Sequence, residues 1–144
     1  MASATKIVQK MITQAHSSVY RATGGKVGGR MFRSPVLLLN TTGRKSGAER
    51  TTPLLYLQDR EDIAIVASNG GARQHPAWYL NLRANPEATV EIGDRKLRVR
   101  AEQASPEERE RLWPKLVEMY GSYEDYQRRT EREIPVIVLH PVNG

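Results

Sequence analysis

The sequence predicts a mainly β protein of the α+β kind, an antiparallel barrel or roll with peripheral helices. Three observations lead there. A chain of 144 residues, 39% hydrophobic and 26% charged, fits one globular domain of ordinary size. Six short runs with β-branched or leucine-rich cores succeed one another along it. The segments joining them are mostly too short for crossover helices, which excludes a doubly wound α/β sheet.

In chain order, Val8, Met11, Ile12, Ala15 and Val19 recur at helical spacing, with Lys6, Gln9, Lys10, Thr13, Gln14 and Ser17 between them. This pattern predicts an amphipathic helix over residues 6–19. Such a helix covers one side of a core or lies on an anionic membrane surface, and the first use is the commoner. Gly24, Gly25, Gly28 and Gly29 follow as a flexible connection. They do not make a phosphate loop, since no strand precedes them and no Lys-Ser/Thr pair follows at the right distance. The chain is therefore divided into residues 1–33, helix and connection, and residues 34–144, the barrel domain.

Strands are expected over Val36–Asn40, Arg50–Gln58, Asp62–Ser68, Ala88–Ile92, Lys96–Glu102 and Ile134–His140. Gly93-Asp94 suits a two-residue hairpin turn. Leu97, Val99 and Ala101 alternate with Lys96, Arg98 and Arg100, the mark of a sheet with one wet face. A short helix is expected over Pro76–Leu82. Ser105-Pro106-Glu107-Glu108 has the serine, proline and glutamate of a capped helix start. Pro114 is expected to kink or restart that helix and Gly121 to stop it, with a last short helix from Ser122 through Tyr126.

Composition excludes several functions. The longest apolar run is five residues, Ile63–Ala67, against the ~20 of a membrane-spanning helix. Cysteine is absent, which removes disulfides, iron–sulfur clusters, thiolate zinc sites and cysteine nucleophiles. His16, His75 and His140 are too scattered for a metal motif, so no metal is expected. With no secretory pattern at the start, a cytoplasmic location is expected.

The net charge of +6 is unevenly placed. Residues 1–58 carry nine Lys/Arg against the single acid Glu49, a net +8; residues 59–144 carry thirteen against fifteen, a net −2. An anionic partner therefore belongs to the first half. Thr41-Thr42-Gly43-Arg44-Lys45-Ser46-Gly47, followed by Arg50, lies between two strands. Cations, hydroxyls and turn N–H groups together suit a phosphate or carboxylate. A solvated basic hairpin tip fits the same spacing equally well.

Ala67-Ser68-Asn69-Gly70-Gly71 ends a buried strand in small and polar residues, and His75-Pro76-Ala77-Trp78 opens a helix. Small residues there let a flat ring approach the backbone, although an ordinary turn needs the same residues. Trp78 walls a pocket or anchors the helix, the second being commoner. Tyr120, Tyr123 and Tyr126 place three phenols within seven residues. Protonated at neutral pH, they can donate to an oxyanion or simply pack with wet hydroxyls.

Leu37 to Gly47, Pro76 to Pro86 and Met119 to Tyr126 closely resemble, in the same order, the motifs of the actinobacterial deazaflavin-dependent nitroreductase family. The resemblance runs from about Val36 to Pro141. It implies a split β-barrel of the FMN-binding-like kind that binds coenzyme F420 and uses the reduced form as hydride donor. Quinones, nitroaromatics and activated alkenes are the implied acceptors. It further implies that Arg44, Lys45, Ser46, Gly47 and Arg50 contact the cofactor's phosphate and anionic tail. Thr52, Pro53, Leu54, Leu55, Val66, Ala67, Ser68, Asn69, Pro76, Ala77 and Trp78 would cradle the ring. Tyr120, Tyr123, Tyr126 and Trp78 would meet substrate, with Tyr123, Tyr126 and Ser68 as the catalytic groups. Two positions depart from the family pattern: Asn69 stands where relatives carry lysine, and Gly121 where they carry proline.

The apolar quinones so implied also suggest peripheral membrane contact through residues 6–19. Two other readings compete: an FMN-using split barrel, which differs only in cofactor, and a basic barrel binding single-stranded nucleic acid through cations and stacking rings. The clustering of the cations in one glycine-bracketed loop speaks against nucleic acid.

Overall fold

The computed structural model describes residues 20–21, 30–31 and 34–142. The expected helix over 6–19 and the glycine-rich connection at 24–29 lie outside them. Among the described residues there are eight strands: β1 Arg30–Met31, β2 Ser34–Thr42, β3 Glu49–Leu55, β4 Leu57–Asp59, β5 Asp62–Val66, β6 Glu87–Ile92, β7 Arg95–Gln103 and β8 Val136–Pro141. Three α-helices lie wholly among the described residues, α1 Ala77–Ala84, α2 Pro106–Met119 and α3 Ser122–Arg128, with a 3₁₀ turn at Asn69–Gly71 and helical backbone at Tyr20 and Arg21.

All strand pairs are antiparallel, in the order β1-β2-β6-β7-β8-β5-β4, with β3 on β2. The run expected as one strand over Arg50–Gln58 is broken at Tyr56. Before it, β3 pairs with β2; after it, β4 pairs with β5. One chain segment thus links the two ends of the sheet and curls it on itself. Pro53 sits opposite Leu38 in β3, which among the described residues pairs with β2 alone, an edge position where proline is tolerated.

Alternation along the strands sorts side chains into separate cores. Leu37, Leu39, Ile63, Ile65, Val90, Val99, Ile137 and Leu139 fill the interior together with Trp78, Tyr79 and Leu82 of α1. Their neighbours Ala64, Val66, Val136 and Val138 form a second core with Leu112, Leu116 and Tyr123. That core fastens α2 and α3 to the outside of β5 and β8. Val36 and Leu38 pack on Tyr20.

The β6–β7 hairpin turns at Gly93 and Asp94, where only the glycine has positive φ (63°), the pattern of a type II′ turn. Ser105 caps α2 reciprocally: its hydroxyl accepts from the Glu108 N–H and the Glu108 carboxylate accepts from the Ser105 N–H. The helix does not restart at Pro114: α2 continues through it to Met119. Pro114 removes the helical partner of the Glu110 carbonyl, and both residues lie on the exposed side of α2. Tyr120 is extended (φ −148°), which ends α2 one residue before Gly121, and Gly121 itself caps α3. Arg111 anchors α2 to β4 through two bonds to Asp59, 3.0 and 2.8 Å, which hold the Asp59 carboxyl below its ordinary pKa.

Candidate functional site: a tyrosine-lined cleft and a basic loop

A cavity of about 190 Å³ opens between the outer side of β3 and β5 and the α2–α3 junction. It is lined by Val36, Pro53, Leu54, Leu55, Val66, Ser68, Tyr120, Tyr123 and Tyr126. The extended Tyr120 turns the chain so that the three phenols converge. Tyr120 and Tyr123 meet edge to face at 5.0 Å, and the Tyr120 and Tyr126 hydroxyls lie 3.1 Å apart. Tyr123 is buried, which raises its pKa; the neighbouring phenols add to the effect. Tyr126 is raised too, chiefly by its hydrogen bond with Tyr120. Among the described residues no buried side-chain oxygen or nitrogen lacks a partner. The Tyr123 hydroxyl makes no hydrogen bond among the described residues, and Tyr123 is one of the residues that line the cavity. Tyr123 and Tyr126 are therefore donors, protonated well beyond neutral pH.

The basic loop joins β2 to β3. The Gly43 N–H donates to Ala48 O at 2.7 Å, the Gly47 N–H to Gly43 O at 2.8 Å, and the Ala48 N–H to the Ser46 hydroxyl at 3.2 Å. Asn81 of α1, buried, accepts from the Arg44 N–H at 3.1 Å and donates to the Thr41 hydroxyl at 3.2 Å. Arg44, Lys45 and Arg50 are exposed and have no acidic partner among the described residues. Strand β3 starts at this loop and ends at the cavity: from Arg50 to Leu54 is on the order of 13 Å at ~3.3 Å per residue. A long ligand with an anionic tail and an apolar ring fits that donor set.

Of the residues expected at a site, Pro53, Leu54, Leu55, Val66, Ser68 and the three tyrosines come together. Arg44, Lys45, Ser46, Gly47 and Arg50 form the separate loop. Thr52, Ala67, Asn69, Pro76 and Ala77 do not line the cavity, and Trp78 is buried in the barrel interior. Asn69 donates to Gln74 O at 2.9 Å. A second cavity, about 210 Å³, lies between α1 and β7 by Tyr79, Arg83 and Gln103, and holds none of the expected residues. Sequence reasoning missed Val36 in the cavity wall and Asn81 beneath the basic loop. An asparagine on the apolar side of a predicted helix was the available signal for Asn81.

Residues 12–141 match the family model described as F420H(2)-dependent quinone reductase. An F420H(2)-dependent quinone reductase of Mycobacterium tuberculosis strain H37Rv is 41% identical over 132 residues, 89% of each chain. Another family protein of that strain is 47% identical over 115 residues, 78% of this chain and 97% of its own. The solved structure of an F420-H2 dependent reductase (FDR-A) superposes with a TM-score of 0.69 at 43% identity, covering 74% of this chain and 94% of that one. The curled antiparallel sheet with outer helices agrees with the structural likeness, and the chain belongs to the F420H(2)-dependent quinone reductase family.

Proposed function

We propose that this chain passes a hydride from reduced coenzyme F420 to a quinone held against Tyr120, Tyr123 and Tyr126. One observation carries the reading: a single strand, β3, joins three cations that have no acidic partner among the described residues to a cleft lined by apolar residues and phenols. When bound, reduced F420 supplies two electrons and a proton together as hydride.

The chain's own residues do the rest. Arg44, Lys45 and Arg50, with the Ser46 hydroxyl, hold the phosphate and carboxylates of the tail through charge-assisted bonds. Pro53, Leu54, Leu55 and Val66 give the ring an apolar wall and exclude water. Hydride addition leaves negative charge on a quinone oxygen, and a second proton completes the hydroquinone. Tyr123, kept protonated by burial, donates to that oxygen. Nitroaromatics and activated alkenes develop negative oxygen in the same way and suit the same donors.

Titrating the purified chain with F420, FMN and an oligonucleotide, read by tryptophan fluorescence, tests this. Tight F420 binding with weak FMN and oligonucleotide binding is expected. Equal affinity for F420 and FMN would overturn the cofactor assignment.

A further inference from the structure

We infer that Arg132 is the positioning residue that holds the Ser68 wall of the cleft against the helix carrying Tyr123 and Tyr126. Its kinetic consequence rests on the function proposed above; its structural part rests on geometry alone. The Arg132 guanidinium donates from Nε to Ala72 O at 2.9 Å, from Nη1 to Ala67 O at 3.3 Å and from Nη2 to Ser68 O at 2.7 Å. Nη1 also lies 3.2 Å from His75 Nδ1. One side chain therefore grips the backbone on both sides of the Asn69–Gly71 turn.

The other end of Arg132 is fixed to α3. Its carbonyl accepts from Gln127 Nε2 at 2.8 Å, and Gln127 Oε1 accepts from the Ile134 N–H at 2.9 Å and from Arg109 at 3.1 Å. Ser68 and Tyr126 are both cavity residues, so Arg132 spans the two walls between which ring and acceptor must meet.

Only a planar fork with several fixed donors serves carbonyls lying in different directions. All of these partners are neutral, and no carboxylate pairs with Arg132 among the described residues. The side chain thus acts as a clamp rather than as half of an ion pair. Because arginine can only donate, the His75 contact assigns an accepting Nδ1, and hence a neutral ring with its proton on Nε2. The groups facing His75 act in the same sense: burial lowers its pKa, the Arg132 and Arg83 cations add to this, and the Tyr79 ring lies 4.5 Å away.

The test compares Arg132→Gln and Arg132→Lys with the wild type in the full chain. Nitrogen NMR of His75 without cofactor, F420 affinity by fluorescence, and kcat and KM for a quinone are measured. Both variants should lose the fixed His75 tautomer, and Arg132→Gln, which removes the cation, should titrate His75 closer to its ordinary value. Their kcat should fall about 10- to 100-fold through misalignment, with F420 affinity changing less than about threefold because the basic loop is untouched. Lysine keeps the charge without the fork, so its failure to restore kcat separates positioning from charge. Wild-type kcat in the variants overturns the inference, as does a loss of kcat matched by an equal loss of F420 affinity. If Arg132→Gln does not fold, Arg132→Lys decides by the same readouts. Should the wild-type chain fail to reduce quinones with reduced F420, the functional reading falls, and the His75 tautomer alone decides whether Arg132 clamps the turn.

Discussion

A side-chain carbon at Gly71 would lie 2.7 Å from the carbonyl oxygen of Tyr126. The turn after β5 and the helix that bears two cleft tyrosines therefore touch backbone to backbone, at a residue whose φ of +81° already favours glycine. Gly71→Ala combines strain with overpacking and should cost about 2–4 kcal/mol. Urea unfolding measures the loss. A variant as stable as wild type would show that α3 yields there.

Lys45→Ala removes one exposed cation from the basic loop. Losing a charge-assisted contact of ~1.5–3 kcal/mol should weaken F420 binding roughly 10- to 100-fold. The loss should shrink as salt rises, because screening already weakens that contact in the wild type. A salt-independent effect would place Lys45 in folding instead.

Tyr123→Phe removes only a hydroxyl. F420 affinity should stay nearly constant while quinone reduction slows by ~10²- to 10⁴-fold, less where solvent supplies the proton. Unchanged turnover with hydride transfer rate-limiting would make Tyr123 a packing residue. There is also a pH consequence. Burial raises the folded pKa above the unfolded value of about 10, so above pH ~10 the unfolded chain ionises first and stability falls as pH rises towards the folded value. Tyr123→Phe should flatten that alkaline loss in thermal melts.

Glu91 accepts from Arg21 at 2.8 and 3.1 Å and from Asn40 at 2.8 Å, while the Tyr20 hydroxyl donates to the Glu91 carbonyl at 3.1 Å. The Arg21 bond above all lowers the Glu91 pKa. Its stabilisation is thus complete above the ordinary glutamate range and is lost as pH falls through the folded value. Glu91→Gln should cost about 1–2 kcal/mol at neutral pH and remove part of the acid sensitivity of the melting curve. Melts of both proteins from neutral to acid pH check this.

Asn81→Ala should loosen the basic loop from α1. A cost of about 1–2 kcal/mol is expected for the lost Arg44 N–H and Thr41 contacts. F420 affinity should fall as well, because the cations lose a common frame. Stability loss with unchanged affinity would show that the loop orders itself around the ligand.

Features written in neighbouring residues were legible in the sequence. Five of the six predicted strands appear with boundaries shifted by a few residues, since alternation of apolar side chains is a local property, while the run over Arg50–Gln58 divides at Tyr56 into β3 and β4. The Ser105–Glu108 capping box and the Gly93 turn need only residues a few positions apart. The basic loop and the three tyrosines were visible because each is contiguous. Pro114 shows the limit of the same logic: its helix-breaking tendency is real, but packing of Leu112 and Leu116 in the second core holds α2 through it.

The sequence by itself determined the period of each element, the caps, and the sign of the charge the first half seeks. Tertiary structure alone decided where these meet. The break at Tyr56 follows from which strands β3 and β4 can reach, and Trp78 turns into the barrel interior because α1 packs there. Arg132 finds Ser68 across 64 positions and Arg21 finds Glu91 across 70. Such pairings depend on which carbonyls and carboxylates the curled sheet leaves facing one another. Periodicity fixes the side of an element a residue occupies, whereas only the closed sheet fixes what stands opposite.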